Sequence, residues 1–282
     1  MASLFCDPTL ARRIERAEVE LIARGSEATR QRIGATDGFL ASVAGGVAAI
    51  VAPGSPLNKV AGLGFGGIPS VGELEEIEAA FSARQTPVQV ELAHLADPGI
   101  AALLTERGYR LTGFENVLGR ALSPVPARVV PAGLDVRPSG DSEFDTWLDV
   151  IADAFAHPDT QGVPSHEKFP RDIVANAMRD MNTAGGMVRY LARRNGTPAG
   201  GAGLRMSAGI AQFTGAGTLP AHRHRGVQTA LLSTRLADAA EAGCDLAVIT
   251  TQPASRSQQN AQSQGFDLLY TRAILVKDTT SR

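Results

Sequence analysis

Arg223-His224-Arg225-Gly226 sets two guanidinium groups, an imidazole and a glycine side by side, ahead of Val227-Gln228-Thr229 and the apolar Ala230-Leu231-Leu232. Guanidinium forks suit phosphate oxygens, and a glycine lets an anion reach the backbone with no Cβ in the way. The residues after Gly226 read as a helix: Val227/Leu231 and Leu232/Leu236 are four apart, and Gly243 stands where a helix C′ residue belongs. The first four N–H groups of a helix have no internal acceptor and carry the positive end of the macrodipole. Basic residues, glycine and helix start together predict a seat for a pyrophosphate. Upstream, Phe213–Leu219 is an apolar, glycine-punctuated strand that Pro220 ends. Downstream come a strand (Cys244–Thr250), a polar helix (Ser255–Ser263), the pair Gly265-Phe266 and a closing strand (Leu268–Val276).

The ordered set of strand, proline, Arg223-x-x-Gly226-x-Gln228, amphipathic helix and strand resembles the acyl-CoA signature of the GNAT superfamily of N-acetyltransferases. Its usual form is Gln/Arg-x-x-Gly-x-Gly/Ala, from which Gln228 departs at the last position. The resemblance covers about Gly133 to Lys277 and implies acetyl-CoA as co-substrate. It implies that the backbone of Thr218 and Leu219 holds the pantetheine arm and polarises the thioester carbonyl. Arg223, Arg225, Gly226, Val227 and Gln228, with His224 and Thr229 beside them, would hold the pyrophosphate. Ser257 and Asn260, on the last helix, would contact the cofactor or the departing sulfur.

Acetyl transfer to an amine needs a neutral amine, a polarised carbonyl and a stabilised leaving thiolate. Many family members place an acid tyrosine four residues before the Gly-Phe pair, where this chain has Ala261, so no tyrosine acid carries over. Tyr270 in the closing strand is a candidate proton donor or pocket wall. His157 and Glu167, in the loop His157–Lys168, are candidate bases, and a water relay would also serve. His222 and His224 flank the phosphate motif, and the five histidines and two cysteines show no metal-ligand spacing.

The N-terminal half repeats this order. After a helix (Leu10–Arg24, capped by Asp7 and ended by Gly25), a hairpin (Phe39–Val51) turns at Gly45-Gly46. Next come a strand near Asn58–Phe65, a helix Val71–Ala83, a strand Pro87–Leu92 and a helix Pro98–Arg107. Gly108-Tyr109 then leads into a strand Leu111–Leu122, as Gly265-Phe266 leads into the last one. Glycines at 62, 64, 66 and 67 do not open a helix at once, so they make no dinucleotide fingerprint. Glutamates at 73, 75 and 76 repel phosphate from the start of the helix that carries them. A proline-rich stretch, Ser123–Gly133, separates the copies as a semi-rigid linker. The second copy opens with a strand (Leu134–Arg137), a helix (Ser142–Phe155, Asp141 as cap), a helix (Arg171–Met181) and a hairpin across Asn195-Gly196.

The expected fold class is therefore α+β (mixed α/β): two tandem GNAT-like domains, each a mostly antiparallel central sheet flanked by helices. Residues 1–124 would be a degenerate copy and 133–282 the acetyl-CoA-binding one. At 282 residues, 44% hydrophobic and 20% charged, the chain has the composition of a globular protein with a sizeable core. A net charge of −2 gives no general attraction to nucleic acid or anionic membrane, and Phe39–Pro53 is too short for a bilayer span of about 20 residues. Cys6 and Cys244 form no disulfide framework, and no signal peptide is evident, so a cytoplasmic location is expected. The implied activity is transfer of an acetyl group to a primary amine of a small molecule in a ternary complex. The alternatives are a non-catalytic acyl-CoA-binding or sensing protein and other thioester chemistry on this fold.

Overall fold

The computed structural model describes residues 3–34, 38–164, 168–184 and 186–279. The chain packs into two compact units, an N-terminal one built chiefly of Phe5–Asn116 and Tyr270 onward, and a C-terminal one built chiefly of Val117–Pro164 and Pro170–Leu269.

In the N-terminal unit α1 (Pro8–Ile33) starts as expected, with Leu10 N–H donating to Asp7 Oδ1 at 2.8 Å and Pro8 in the first turn. Gly25 does not end it. The helix runs on to Gly34, whose φ of 65° makes the left-handed cap. Gly25, Ser26 and Thr29 are buried, and the two hydroxyls bond back to the carbonyls of Ile22 and Gly25 at 2.7 and 2.9 Å. This narrow face lets the helix lie close, and its burial outweighs the roughly 1 kcal/mol that a glycine costs relative to alanine. Ile22 packs with Val47, Ala49, Val51, Leu57 and Ala61.

The remaining elements here are β1 (Phe39–Val43), β2 (Gly46–Ile50), β3 (Lys59–Ala61), α2 (Val71–Ser82), β4 (Val88–Ala93) and α3 (Gly99–Glu106). The long strands β5 (Arg110–Ala121) and β11 (Asp267–Lys277) complete the sheet, whose order is β1-β2-β3-β4-β11-β5. Arg272–Lys277 of β11 runs antiparallel to β4, from Arg272↔Ala93 to Lys277↔Val88. The sequence pattern assigns Leu268–Val276 wholly to the second copy and Leu111–Leu122 wholly to the first. Instead Tyr270 onward groups with the N-terminal unit and Val117–Leu122 with the C-terminal one. Alternating apolar residues specify a strand but not its neighbour.

The buried face around β11 is charged. Arg272, 2% exposed, donates through Nε to Glu15 Oε1 at 2.8 Å and lies 3.7 and 3.9 Å from carboxylate oxygens of Glu91 and Glu115. Lys59 pairs with Glu91.

The C-terminal unit comprises β6 (Leu134–Pro138), α4 (Phe144–Ala156), α5 (Arg171–Thr183), β7 (Met187–Arg194) and β8 (Thr197–Ser207). It continues with β9 (Ile210–Thr218), α6 (Val227–Glu241), β10 (Leu246–Thr251) and α7 (Arg256–Ser263), and its sheet order is β5-β10-β9-β8-β7-β6. Asp141 does not cap α4. It lies in a short 3-10 turn and pairs with Arg189 at 2.7 Å, a non-local partner that outcompetes the helix end. The proline-rich stretch is no free linker: Val129 N–H donates to Ser233 Oγ at 2.6 Å, Arg128 pairs with Asp238 at 2.5 Å, and Pro131 stands against Gly226. It straps α6 in place. Within the unit, the fully buried Arg235 of α6 donates to the carbonyls of Gly203 (2.9 Å) and Leu231 (3.1 Å) and lies 4.5 Å over the Phe213 ring. Burial pushes its pKa down to about 9.

Burial, and then the neighbouring Glu91 carboxylate, push the Glu115 pKa up to about 7. Its folded pKa lies above the unfolded value, so its contribution is fully present below about pH 4.3 and lost as pH rises through about 7. Unfolding free energy measured by denaturant titration should fall by roughly 1–3 kcal/mol between pH 5 and 8, and Glu115→Gln should flatten that slope. An equal slope in the variant would show that another group carries it.

Candidate functional site

Strands β9 and β10 run parallel, paired from Ile210↔Leu246 to Gln212↔Val248, and then continue separately to Thr218 and Thr251. On its other side β9 pairs with β8, and the register slips between Gly201↔Gly217 and Gly203↔Thr214. One extra residue therefore stands on β9 at Gly215-Ala216, where Gly215 takes a φ of 50°. Such a bulge bends the strand and frees backbone groups from the ladder.

Past Thr218 the chain makes a 3-10 turn at Pro220–His222 and reaches α6 through His224 and Gly226, both with positive φ (57° and 79°). Gly226 is the N-cap of α6, and no side chain caps the helix. The N–H groups of Val227, Gln228 and Thr229 thus lack helical acceptors, and these three residues line a cavity of about 380 Å³. The cavity is walled by α4 and the loop after it (Ala154, Phe155, Pro158, Asp159), by Ala216–Thr218 of β9, by the α6 entry, and by Arg256, Ser257 and Asn260 of α7. His222 Nδ1, Thr218 Oγ1 and Arg256 Nε are shielded from solvent and have no protein partner. Helix dipole, guanidinium groups and unpartnered donors make this end of the cavity anion-seeking.

Thr218, Arg223, His224, Gly226, Val227, Gln228, Thr229, Ser257 and Asn260 all border this one cavity. Leu219 does not: its N–H donates to the Ala199 carbonyl at 3.0 Å, because the β8–β9 ladder extends to it, so it has no N–H left for a ligand. Arg225 is exposed and outside the lining. Arg223 holds the backbone carbonyl of His157.

The proton-transfer candidates fare differently. Tyr270 is buried, donates to Glu15 Oε1 at 2.5 Å and is not among the lining residues, and burial together with that carboxylate holds its pKa well above the ordinary value. Its hydroxyl is engaged by Glu15 of α1, in a strand that stands between β4 and β5. His157 is exposed, with Nδ1 2.9 Å from the Asp153 carbonyl, beside the lining but not in it. Glu167 lies outside the described residues. Asp159 and Arg256 line the cavity although the sequence pattern does not assign them to it, and His222, which the sequence places only as flanking the phosphate motif, lines it too. Arg256 carries one sequence signal, its place directly after the N-cap Ser255. Ala261 is fully buried in the core. Among the described residues no group of three His, Cys, Asp or Glu is arranged to hold a metal, and no helix is long and apolar enough to cross a membrane.

The corresponding helix of the N-terminal unit is capped by its own side chains. Ser70 Oγ accepts from Glu73 N–H at 3.2 Å, and Glu73 Oε2 accepts from Ser70 N–H at 2.7 Å. This capping box puts a carboxylate of the chain itself at the start of α2. Gly64 and Gly66 N–H both donate to the Ala44 carbonyl, at 3.1 and 2.9 Å.

Residues 135–256 match the family model described as an acetyltransferase (GNAT) domain. Among solved structures, a GCN5-related N-acetyltransferase from Kribbella flavida aligns with a TM-score of 0.64 at 21% identity, covering 91% of this chain and 96% of that one. A tandem GNAT protein from the clavulanic acid biosynthesis pathway aligns at 0.61 and 12% identity, over 92% and 88% of the two chains. A GCN5-related N-acetyltransferase from Sphaerobacter thermophilus aligns at 0.56 and 17%, over 73% and 66%. Among curated proteins, no sequence matches this chain.

Gly226→Val would force a β-branched side chain into a φ of 79° and set its Cβ about 3.1 Å from Pro131. Calorimetry should show CoA affinity falling at least about 100-fold, which is about 2.7 kcal/mol, with far-UV dichroism retained. Unchanged affinity would remove the α6 entry from the binding site.

Proposed function

We propose that this chain, in which residues 135–256 form a GNAT acetyltransferase domain, transfers the acetyl group of acetyl-CoA to a primary amine of a small molecule. The carrying observation is the uncapped N-terminus of α6 behind a left-handed glycine, opening on a cavity ringed by basic residues. In this reading the N–H groups of Val227, Gln228 and Thr229 hold the pyrophosphate, with His224 beside them. Arg223 joins them by exchanging the His157 carbonyl for a phosphate oxygen. Thr218 and the freed backbone at the β9 bulge orient the pantetheine arm and thioester, and Ser257 and Asn260 face it from α7.

Reaction is direct attack of the neutral amine on the thioester carbonyl, with both substrates held in one cleft so that proximity supplies much of the acceleration. Asp159 and His222, the carboxylate and the shielded imidazole of the lining, can take the amine proton or return one to the departing thiolate. In this reading the N-terminal unit, with α2 self-capped, takes no CoA of its own.

A second reading, acyl-CoA binding without transfer, is favoured by one feature: the position of the usual acid tyrosine is the buried Ala261. Titration of the protein with acetyl-CoA followed by a thiol-release assay across amines separates the two. One site per chain with amine-dependent thiol release supports transfer, and one site with no release from any amine supports binding alone. No binding at all would overturn both.

A further inference from the structure

The cavity has two chemically different ends. The α6 entry gathers the basic groups and unpartnered N–H donors, while the end at the β9 bulge is bordered by Ala154, Phe155, Ala216 and Gly217. Strand rise is about 3.3 Å per residue, so each step back from Thr218 along β9 leads away from the anion-seeking end. A donor with its phosphates at α6 must therefore place its acyl group at the bulge. That placement rests on the proposed function.

At the bulge the floor is bare backbone, and two helices press on it. A Cβ on Gly217 would collide with Ala154 Cβ of α4. One on Gly215 would stand 2.8 Å from Met178 Sδ and 3.7 Å from Met178 Cε, both on α5. Met178 is 8% exposed and is not itself part of the lining. On β9 the lining runs from Thr218 back to Ala216, and the Met178 thioether packs on the next residue, Gly215.

We infer that Met178 sets the length of acyl chain the donor can carry, and that the wild-type slot takes a two-carbon acyl group. A longer chain would have to displace a buried thioether that already packs against the strand backbone. Methionine suits the role because its unbranched side chain fits an irregular gap, and no other side chain stands between it and the bulge glycine. Alanine at 178 would lengthen the slot by the volume of the lost thioether without touching the α6 entry.

The test is calorimetric titration with CoA, acetyl-CoA and butyryl-CoA. Wild type should bind acetyl-CoA at least tenfold more tightly than butyryl-CoA. Met178→Ala should bring the two within about twofold while leaving free CoA affinity unchanged, which also shows that the variant is folded. Met178→Leu, which conserves volume, should keep the discrimination. If the alanine variant fails to fold, Met178→Val carries the same expectation in weaker form. Free CoA binding with no acyl-length discrimination in wild type, or an unaltered ratio in the smaller variants, overturns this inference and leaves the proposed function standing. No CoA binding by wild type overturns both.

Discussion

A guanidinium taken out of water must find acceptors for its N–H groups, and in the N-terminal unit Arg272 finds them in carboxylates. Arg272 finds Glu15 on α1, Glu91 on β4 and Glu115 on β5, so three separate elements must converge on one residue of β11. Breaking such a pair leaves an uncompensated buried charge, a loss of about 3–5 kcal/mol, whereas the intact pair adds little net stability. The nearest of the three is Glu15 on α1, at 2.8 Å, with Glu91 of β4 at 3.7 Å and Glu115 of β5 at 3.9 Å. The same constraint engages the Tyr270 hydroxyl, which shares Glu15, and leaves Glu115 with one carboxylate neighbour too many.

The C-terminal unit uses smallness where the N-terminal one uses charge. Gly200, Gly201, Gly203, Gly215 and Gly217 all lie where a Cβ would meet a neighbouring side chain or carbonyl. Helices therefore approach the β8–β9 backbone from both faces, α4 and α5 on one and α6 on the other. Close approach brings the α6 start level with the end of β9, and Arg235 and the Ala127–Pro131 strap hold it there. The result is a helix N-terminus left open at the head of the cavity.

The two units differ most at one helix start. Each has a strand, a glycine-bearing turn and a helix in the same order. In one the helix start is filled by Ser70 and Glu73; in the other it is bare, with Gly226 as cap. The capping box engages the N–H groups of Ser70 and Glu73 from within the chain and puts a negative charge at the positive end of the dipole, which disfavours an external phosphate there. A two-residue difference in capping chemistry separates a self-capped helix start from a bare one.

The sequence alone determined what is local. Asp7 and Pro8 start α1, the glutamates mark α2 as hostile to phosphate, and Arg223 to Thr229 marks the start of α6, because caps, turns and helical spacing depend on residues within a few positions of one another. The residues of the α6 entry that border the cavity were legible for the same reason. Tertiary structure decided what depends on distant partners. It continued α1 through Gly25, since burial of a small face outweighs propensity. It engaged the Leu219 N–H with Ala199, and it enlisted Asp159, His222 and Arg256 in the lining. It also carried β11, with Tyr270, to β4, because a strand's pattern of side chains names its faces and never its neighbour.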